Sequence, residues 1–220
     1  MTGATPLDDL RLAVVDYGMG NRRSVEKALE HVGVQAEVTA DRERIASADG
    51  LVLCGVGAFP AGMQRLRESG LDDLVRGLAG EGKPLIGVCL GMQLLFERSD
   101  ERGGDDGLGL LAGPVRALEA PTGLKLPHIG WNQVRWTDNP SPVRGALPDA
   151  TAFYHVHSFV ARPDDPSDVL ATAEYGGPFV TAVSRGNVHG VQFHPEKSSA
   201  DGLHVLRAFA ETCTSTRCPT

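Results

Sequence analysis

Residues 84–93 read Pro-Leu-Ile-Gly-Val-Cys-Leu-Gly-Met-Gln, and this stretch decides the fold. An apolar run ends at Val88, Cys89 follows at once, and a glycine stands two positions before and two after the cysteine. A continuous apolar run is typical of a buried parallel strand, and a glycine-flanked nucleophile where a strand turns into a helix is typical of a nucleophile elbow. The helix amino terminus favours the thiolate of such a cysteine. The alternative is a small buried cysteine that only packs at the strand end.

The segments around this stretch alternate between short apolar strands and amphipathic helices. Asn21 is a residue type that caps helix amino termini, so a helix is expected to begin there. Alternating strands and helices imply right-handed crossovers and a parallel sheet that is covered on both faces. The predicted strands are 12–16, 34–39, 51–54 and 84–88, and the predicted helices include 60–79 and 90–98.

The second half changes to strands joined by short turns, which favours antiparallel additions to the sheet. The predicted strands are 115–118, 133–136, 153–161, 169–173, 180–184 and 188–193, and a last helix is expected over 200–211. The fold class is therefore α/β, with one central, mostly parallel sheet flanked by helices and extended by antiparallel strands. The predicted organisation is an extension over 1–10, a single domain over 11–211 and a mobile tail over 212–220.

Composition excludes several classes of function. The net charge of −7 without a cluster of Lys or Arg argues against nucleic acid or an anionic membrane surface as a partner. The chain begins without the pattern of a signal peptide and contains no apolar run of about 18 residues, so we expect a cytoplasmic protein with no membrane contact. The cysteines 54, 89, 213 and 218 lack zinc-type spacing, so a special cysteine is expected to be chemical rather than structural.

A cysteine nucleophile needs a base, and His194 is the best candidate. It follows the predicted strand 188–193, and the sequence continues Pro195-Glu196. A carboxylate two residues beyond the histidine can orient the imidazole and stabilise its protonated form, as the third member of a triad does. A strand-ending turn with a solvated carboxylate is the alternative reading of His-Pro-Glu alone.

The glycine loop Gly55-Val56-Gly57 follows a predicted parallel strand. Its backbone N–H groups, with that of Leu90, could form an oxyanion hole, or the loop could be an ordinary strand-to-helix turn. His155 and His157 share one strand face and could pair as metal ligands with Glu196 or His189, but no ligand cluster of zinc spacing accompanies them. No metal or other cofactor is therefore predicted, and Gly18-Met19-Gly20 lacks the third glycine of a dinucleotide fingerprint.

Together these residues resemble the class I glutamine amidotransferases. Segments 87–93 and 194–196 carry the likeness to the class. Segments 16–21 (Asp-Tyr-Gly-Met-Gly-Asn) and 127–132 (Pro-His-Ile-Gly-Trp-Asn) narrow it to the glutaminase subunits of imidazole glycerol phosphate synthases, from histidine biosynthesis. The resemblance extends from residue 12 to about 210 and implies the single-domain fold of that class. Cys54 stands where the family usually has proline, and His155 where it usually has an aromatic residue.

The resemblance implies a mechanism and a set of site residues. The Cys89 thiolate would attack the side-chain amide of glutamine, His194 would protonate the departing ammonia, and Glu196 would orient His194. The implied oxyanion hole consists of Val56, Gly57 and Leu90, and the implied glutamine-binding residues are Gln93, His157 and Ser158.

The resemblance also implies a partner. The ammonia would pass to a (β/α)8-barrel cyclase subunit, which makes imidazole glycerol phosphate and an aminoimidazole carboxamide ribonucleotide. No acceptor domain is recognised in the chain, so we expect a heterodimer, with low glutaminase activity alone and stimulation by the ligand-bound partner. The implied interface residues are Gly18, Asn21, Trp131 and Asn132. The alternatives are a glutaminase subunit of another amidotransferase, a stand-alone cysteine peptidase or γ-glutamyl hydrolase on the same scaffold, and a non-catalytic binding subunit.

Overall fold

The structure, a computed structural model, describes residues 7–119, 121 and 123–215. The strands are β1 (Arg11–Val15), β2 (Gln35–Thr39), β3 (Gly50–Gly55), β4 (Leu85–Cys89), β5 (Phe96–Ser99), β6 (Asp105–Asp106), β7 (Leu111–Ala117), β8 (His128–Trp136), β9 (Ala150–His157), β10 (Phe159–Ala161), β11 (Val169–Glu174), β12 (Pro178–Arg185) and β13 (Val188–Val191). The α-helices are α1 (Arg22–His31), α2 (Arg42–Ser47), α3 (Phe59–Glu68), α4 (Leu71–Gly80), α5 (Leu90–Leu94) and α6 (Ser199–Ser215).

The main sheet has the strand order β2-β1-β3-β4-β13-β12-β11-β8-β9. The first five strands in this order are parallel to one another, and the last four continue the sheet in antiparallel fashion. The predicted fold class is therefore confirmed. A second sheet of order β10-β7-β5-β6 was not predicted.

Two hydrophobic cores cover the two faces of the main sheet. One core joins the sheet to α1 and α6 through side chains such as Leu29 and Phe209. The other joins it to α2, α3 and α4 and to the small sheet, with Met63 and Val75 among its members. The central strands β3 and β4 are buried along their whole length because they lie between these layers. No helix in the described part of the chain is both long enough and apolar enough to cross a membrane.

The helix predicted over 90–98 is wrong in its second half. Helix α5 ends at Leu94, and the chain continues as strand β5, which pairs in parallel with β7 through Phe96 and Leu111. The apolar run that follows Cys89 is compatible with either type of element, and only the distant partner strand selects the extended form.

Two further predicted elements are interrupted. The helix predicted over 60–79 is broken into α3 and α4, because Gly70 lies between them in the left-handed conformation with φ 65°. The strand predicted over 153–161 divides at Ser158, and its two parts, β9 and β10, belong to different sheets.

The predicted termini differ from the structure at their inner ends. Leu7 and Leu10, in the predicted extension, are buried against the core, and 7–9 form a short 3-10 helix. Helix α6 continues to Ser215, and Cys213 is fully buried within it, so the helix extends into the tail predicted over 212–220. Residues 1–6 and 216–220 lie outside the described residues.

Candidate active site

Cys89 is the last residue of β4 and immediately precedes α5. Its backbone has φ 55° and ψ −112°, a left-handed conformation that costs a non-glycine residue energy. The strand-to-helix turn has the geometry of a nucleophile elbow, as the sequence predicted. The thiol contacts the Val156 carbonyl oxygen and the Gln192 side-chain nitrogen, each at 3.8 Å.

The two glycines around the cysteine are required by close packing. A Cβ atom at Gly91 would lie 1.7 Å from the carbonyl oxygen of Leu53 in the neighbouring strand β3. A Cβ atom at Gly87 would lie 2.6 Å from the backbone nitrogen and Cα of Met92. Both clashes are with backbone, so the turn forms in this shape only with glycine at these positions.

His194 and Glu196 lie beside the thiol. The Nδ1 atom of His194 and Oε1 of Glu196 are 2.8 Å apart, and both side chains are buried. The His194 backbone is held on both sides, because its N–H donates to the Tyr154 carbonyl at 2.9 Å and its carbonyl accepts from the Ser198 hydroxyl at 2.7 Å. The structure therefore brings together the three residues that the sequence selected as a triad.

The charges around His194 favour its protonated form. Burial lowers the pKa of His194, but hydrogen bonds and charge interactions with Cys89 and Glu196 outweigh burial and raise the pKa to about 9. A protonated imidazole beside the cysteine stabilises a thiolate, which is the nucleophilic form of that residue.

Asn21 belongs to this array and was predicted differently. It precedes α1, but its side chain makes no capping hydrogen bond. With φ 71° it directs its side-chain N–H to Oε1 of Glu196, the oxygen that also contacts His194. The sequence could indicate only an interface residue and a helix cap at this position, because the contact spans 175 positions of the chain.

Cys54, the departure from the family pattern, is buried at the end of β3. Burial, followed by the negative charge of Glu196, raises the pKa of the Cys54 thiol to about 12. This thiol therefore stays protonated at neutral pH and is a poor nucleophile.

A cavity of about 250 Å³ opens above the thiol. The predicted oxyanion residues Val56, Gly57 and Leu90 line this cavity, as do the predicted substrate residues Gln93, His157 and Ser158. The sequence did not single out Glu101, which begins a short 3-10 helix just after β5, or Lys197, which follows the His-Pro-Glu segment. The other lining residues are Pro127, Val156 and Phe159, together with Cys89 and His194.

Gln93 presents a defined group to this cavity. Its side-chain nitrogen donates to the Phe159 carbonyl at 3.0 Å and to Oε1 of Gln192 at 2.9 Å. An amide nitrogen carries two N–H groups, so both are used, and the side-chain oxygen of Gln93 is the acceptor that remains for a ligand.

His157 is placed differently from a direct ligand-binding residue. Its Nδ1 lies 3.1 Å from the Phe159 carbonyl oxygen, and its Nε2 lies 3.0 Å from Nδ1 of His128. Burial is the main cause that lowers the pKa of His157 to about 3, so the ring is neutral. Because both ring nitrogens have protein partners, His157 lines the cavity as part of its wall.

His155 and His157, the alternative pair of metal ligands, have protein partners at their ring nitrogens. The Nδ1 of His155 is 3.1 Å from the Phe153 carbonyl oxygen, and its Nε2 is 2.7 Å from the Thr181 hydroxyl. The ring nitrogens of both strand histidines are thus engaged by protein groups. Within residues 7–119, 121 and 123–215, no group of three or more His, Cys, Asp or Glu side chains could hold a metal ion.

The predicted interface residues lie in two places around the cavity. The exposed Gly18 and the half-buried Asn21 lie in the turn before α1. This turn packs against the 55–57 loop, because a Cβ atom added at Gly57 would lie 2.9 Å from Met19 Cε and one added at Gly20 would lie 3.2 Å from Val56 Cγ2. On β8, Trp131 is 54% exposed, whereas Asn132 is partly buried and donates to the Glu174 carbonyl at 2.8 Å.

Comparison with known proteins agrees with this fold. The family described as "Glutamine amidotransferase class-I" matches residues 13–213. A solved structure titled "Crystal structure of glutamine amidotransferase" superposes with a TM-score of 0.72 at 22% identity, covering 92% of this chain and 98% of its own.

The chain belongs to the class I glutamine amidotransferase family. It is 50% identical over 200 residues to "Imidazole glycerol phosphate synthase subunit HisH" of Moorella thermoacetica, covering 91% of this chain and 94% of that protein. It is 47% identical over 199 residues to the protein of the same name from Rhodopirellula baltica, covering 90% of this chain and 96% of that protein. The resemblance seen in the sequence is confirmed.

Proposed function

We propose that the chain is the glutaminase subunit of an imidazole glycerol phosphate synthase. It hydrolyses glutamine to glutamate and ammonia and delivers the ammonia to a (β/α)8-barrel cyclase subunit, its partner in a heterodimer. The observation that carries this proposal is the buried array of Cys89, His194 and Glu196 in a chain that is 47–50% identical to HisH subunits over almost their whole length.

The proposed reaction forms and breaks one covalent bond to the enzyme. The Cys89 thiolate adds to the side-chain amide carbon of glutamine, and the N–H groups of Leu90 and of the 55–57 loop stabilise the oxyanion. Protonated His194 gives its proton to the departing nitrogen. The nitrogen leaves as ammonia, and a γ-glutamyl thioester remains on Cys89. His194 then takes a proton from the water that attacks the thioester, and glutamate and the thiolate are released. Glu196 and Asn21 hold the imidazole in place throughout.

The charges of the cavity support an α-amino acid as substrate. Glu101 and Lys197 carry opposite charges in the cavity wall, which suits the ammonium and carboxylate groups of a zwitterion. The side-chain oxygen of Gln93 is an acceptor, and it fits an N–H-bearing group of the ligand. A glutamine side chain pointing to the thiol satisfies these requirements together.

The turn that contains Gly18 and Asn21 supports control of the reaction by the partner. It contacts the 55–57 loop on one side, and Asn21 donates to Glu196 on the other. A protein bound to this turn could therefore change both the candidate oxyanion hole and the triad. Glycines at 55 and 57 permit rotation of the intervening peptides, and Gly57 already has φ 123°.

We also propose a cytoplasmic location. Cys54 and Cys89 are free thiols in the structure, and a reducing compartment preserves a nucleophilic thiol. The proposed reaction requires no cofactor.

The test is glutamine turnover by the chain with and without a cyclase subunit, in the presence and absence of the nucleotide ligand of the cyclase. We expect co-purification of the two proteins, low turnover by the chain alone, and stimulation by the ligand-bound cyclase. The variant Cys89→Ser should bind the cyclase as the wild-type chain does and lose turnover. Turnover retained by Cys89→Ser would refute the assignment of the nucleophile, and equal rates with and without ligand would refute control by the partner.

A further inference from the structure

A connected group of side chains lies behind the cavity, and the proposed mechanism uses none of them. It consists of His128, His155, His157 and Asn132. His128 on β8 lies opposite His157 on β9 in the strand register. Its Nδ1 lies 3.0 Å from Nε2 of His157, and its Nε2 lies 3.4 Å from the side-chain nitrogen of Asn132. The ring of His128 stacks on Tyr175, with 4.1 Å between ring centroids, and on His155 at 5.2 Å.

The proton positions in this group follow from its two ends. The Phe159 carbonyl can only accept, so the Nδ1 of His157 must carry the hydrogen. His157 is neutral because burial lowers its pKa, so its Nε2 is bare and accepts from Nδ1–H of His128. Burial also lowers the pKa of His128, and its bare Nε2 accepts from the amide of Asn132. The hydrogen bonds therefore all run in one direction: Asn132 donates to His128, His128 donates to His157, and His157 donates to the Phe159 carbonyl.

The inner end of this sequence meets the residues around the thiol. The Phe159 carbonyl accepts from His157 and also from Gln93, which uses both lone pairs of the oxygen. The nitrogen of Gln93 donates to Gln192 as well, and the Gln192 nitrogen contacts the Cys89 sulfur at 3.8 Å. The outer end, Asn132, lies partly exposed beside Trp131 on the face proposed for the cyclase.

We propose that His128 is a positioning residue for the glutaminase site: by donating from Nδ1 to His157, it fixes the ring that holds the Phe159 carbonyl and, with it, the Gln93 side of the glutamine cavity. This inference rests on the proposed function for the identity of the ligand. Without the donor at 128, Nε2 of His157 is a buried acceptor without a partner, which costs free energy. Rotation of the ring or its protonation would lower that cost. Either change releases the Phe159 carbonyl from Nδ1.

The first test reads the tautomers directly and does not require activity. Nitrogen-15 NMR of the histidine rings in the chain at pH 7 should show the Nδ1–H tautomer for both His128 and His157, with the His128 signals assigned through His128→Phe. An Nε2–H tautomer or a protonated ring at either position would overturn the proposal.

The second test separates hydrogen bonding from packing. The probe is 6-diazo-5-oxo-L-norleucine, a glutamine analogue that alkylates a reactive thiol, and iodoacetamide is the control reagent that needs no glutamine pocket. His128→Phe keeps an aromatic ring against Tyr175 but has no donor. Its half-saturating concentration of the analogue should rise about five- to tenfold, the loss expected for one buried hydrogen bond.

The matched variant is His128→Asn, whose side-chain nitrogen falls near the position of Nδ1 but which loses the ring. It should keep the half-saturating concentration within about twofold of wild type, and both variants should keep the iodoacetamide rate within about twofold. An unchanged value in His128→Phe, or an equal rise in both variants, would overturn the proposal. If iodoacetamide labels the wild-type chain and the glutamine analogue does not, the proposed function is refuted. The NMR measurement of the tautomers would still test the hydrogen bonds of His128 and His157.

Discussion

The hydroxyl of Tyr17 should destabilise the isolated chain, and its removal should make the chain more stable. Tyr17 is buried, and its hydroxyl oxygen has no hydrogen-bond partner among the described residues. It lies directly against Gly55, where an added Cβ atom would meet the hydroxyl at 2.2 Å. Burial is the first cause that raises the pKa of Tyr17 well above its ordinary value, so the group stays neutral.

The size of the effect follows from this environment. A buried polar group without a partner costs about 1–3 kcal/mol. In Tyr17→Phe this cost disappears, while the small space left by one oxygen atom removes part of the gain. We therefore expect the free energy of unfolding to rise by about 1 kcal/mol and Tm to rise by about 2–4 °C for a chain of this size.

The assay is thermal and urea unfolding of the isolated chain, with Tyr175→Phe as the matched control. The Tyr175 hydroxyl donates to the Lys125 carbonyl at 2.8 Å, so its removal should leave Tm unchanged or lower it. A Tm of Tyr17→Phe equal to or below that of wild type would show that the hydroxyl has a partner in solution and would refute the reasoning.

Other substitutions test the triad and the glycines. Glu196→Gln removes the charge from the hydrogen bond to His194, so steady-state assays with the cyclase should show kcat/KM for glutamine lower by about 10- to 100-fold; a change under threefold would contradict this role. The pKa of His194 is raised from 6.5 to about 9, so protonated His194 stabilises the fold fully below pH 6.5, and this stabilisation is lost as the pH rises through 9. Urea unfolding between pH 6.5 and 9.5 should therefore show a larger loss of unfolding free energy for wild type than for Glu196→Gln, and equal losses would contradict this. Gly77→Ala, at a helical position with no atom within 4 Å of the added Cβ, should stabilise the chain by about 0.5–1 kcal/mol in the same assay, and a loss of stability there would contradict the open space. Gly91→Ala should prevent soluble expression or lower Tm sharply, and a wild-type melting curve would contradict the clash with Leu53.

The parts of the site that could be predicted are those specified locally. The elbow at Cys89 is specified by the seven consecutive residues 87–93, because the strand, the tight turn and the helix each have their own sequence requirement. His194 and Glu196 are two positions apart, so their contact also follows from a short segment. The parallel half of the sheet could be predicted for the same reason, since buried strands are continuous apolar runs.

The parts that could not be predicted depend on distant partners. The contact of Asn21 with Glu196 requires a left-handed backbone before α1 and the return of the chain 175 residues later. Most of strand β5 lies in a predicted helix, because only its pairing with β7 and β6 selects the extended form. Glu101 reaches the cavity from beyond β5, with no periodic relation to Cys89 that a sequence pattern could reveal.

The pairing of β3 with β4 has a kinetic consequence. Gly55 lies opposite Cys89 in a ladder whose strands are fully buried, so the thiol and the start of the 55–57 loop are attached to the same rigid pair of strands. A change in the loop then needs only the rotation of peptides beyond the ladder, and loop motions of that kind take nanoseconds to microseconds. Stimulation by an already bound partner should consequently begin without a lag on the timescale of rapid mixing, and ammonia release should show no slow onset.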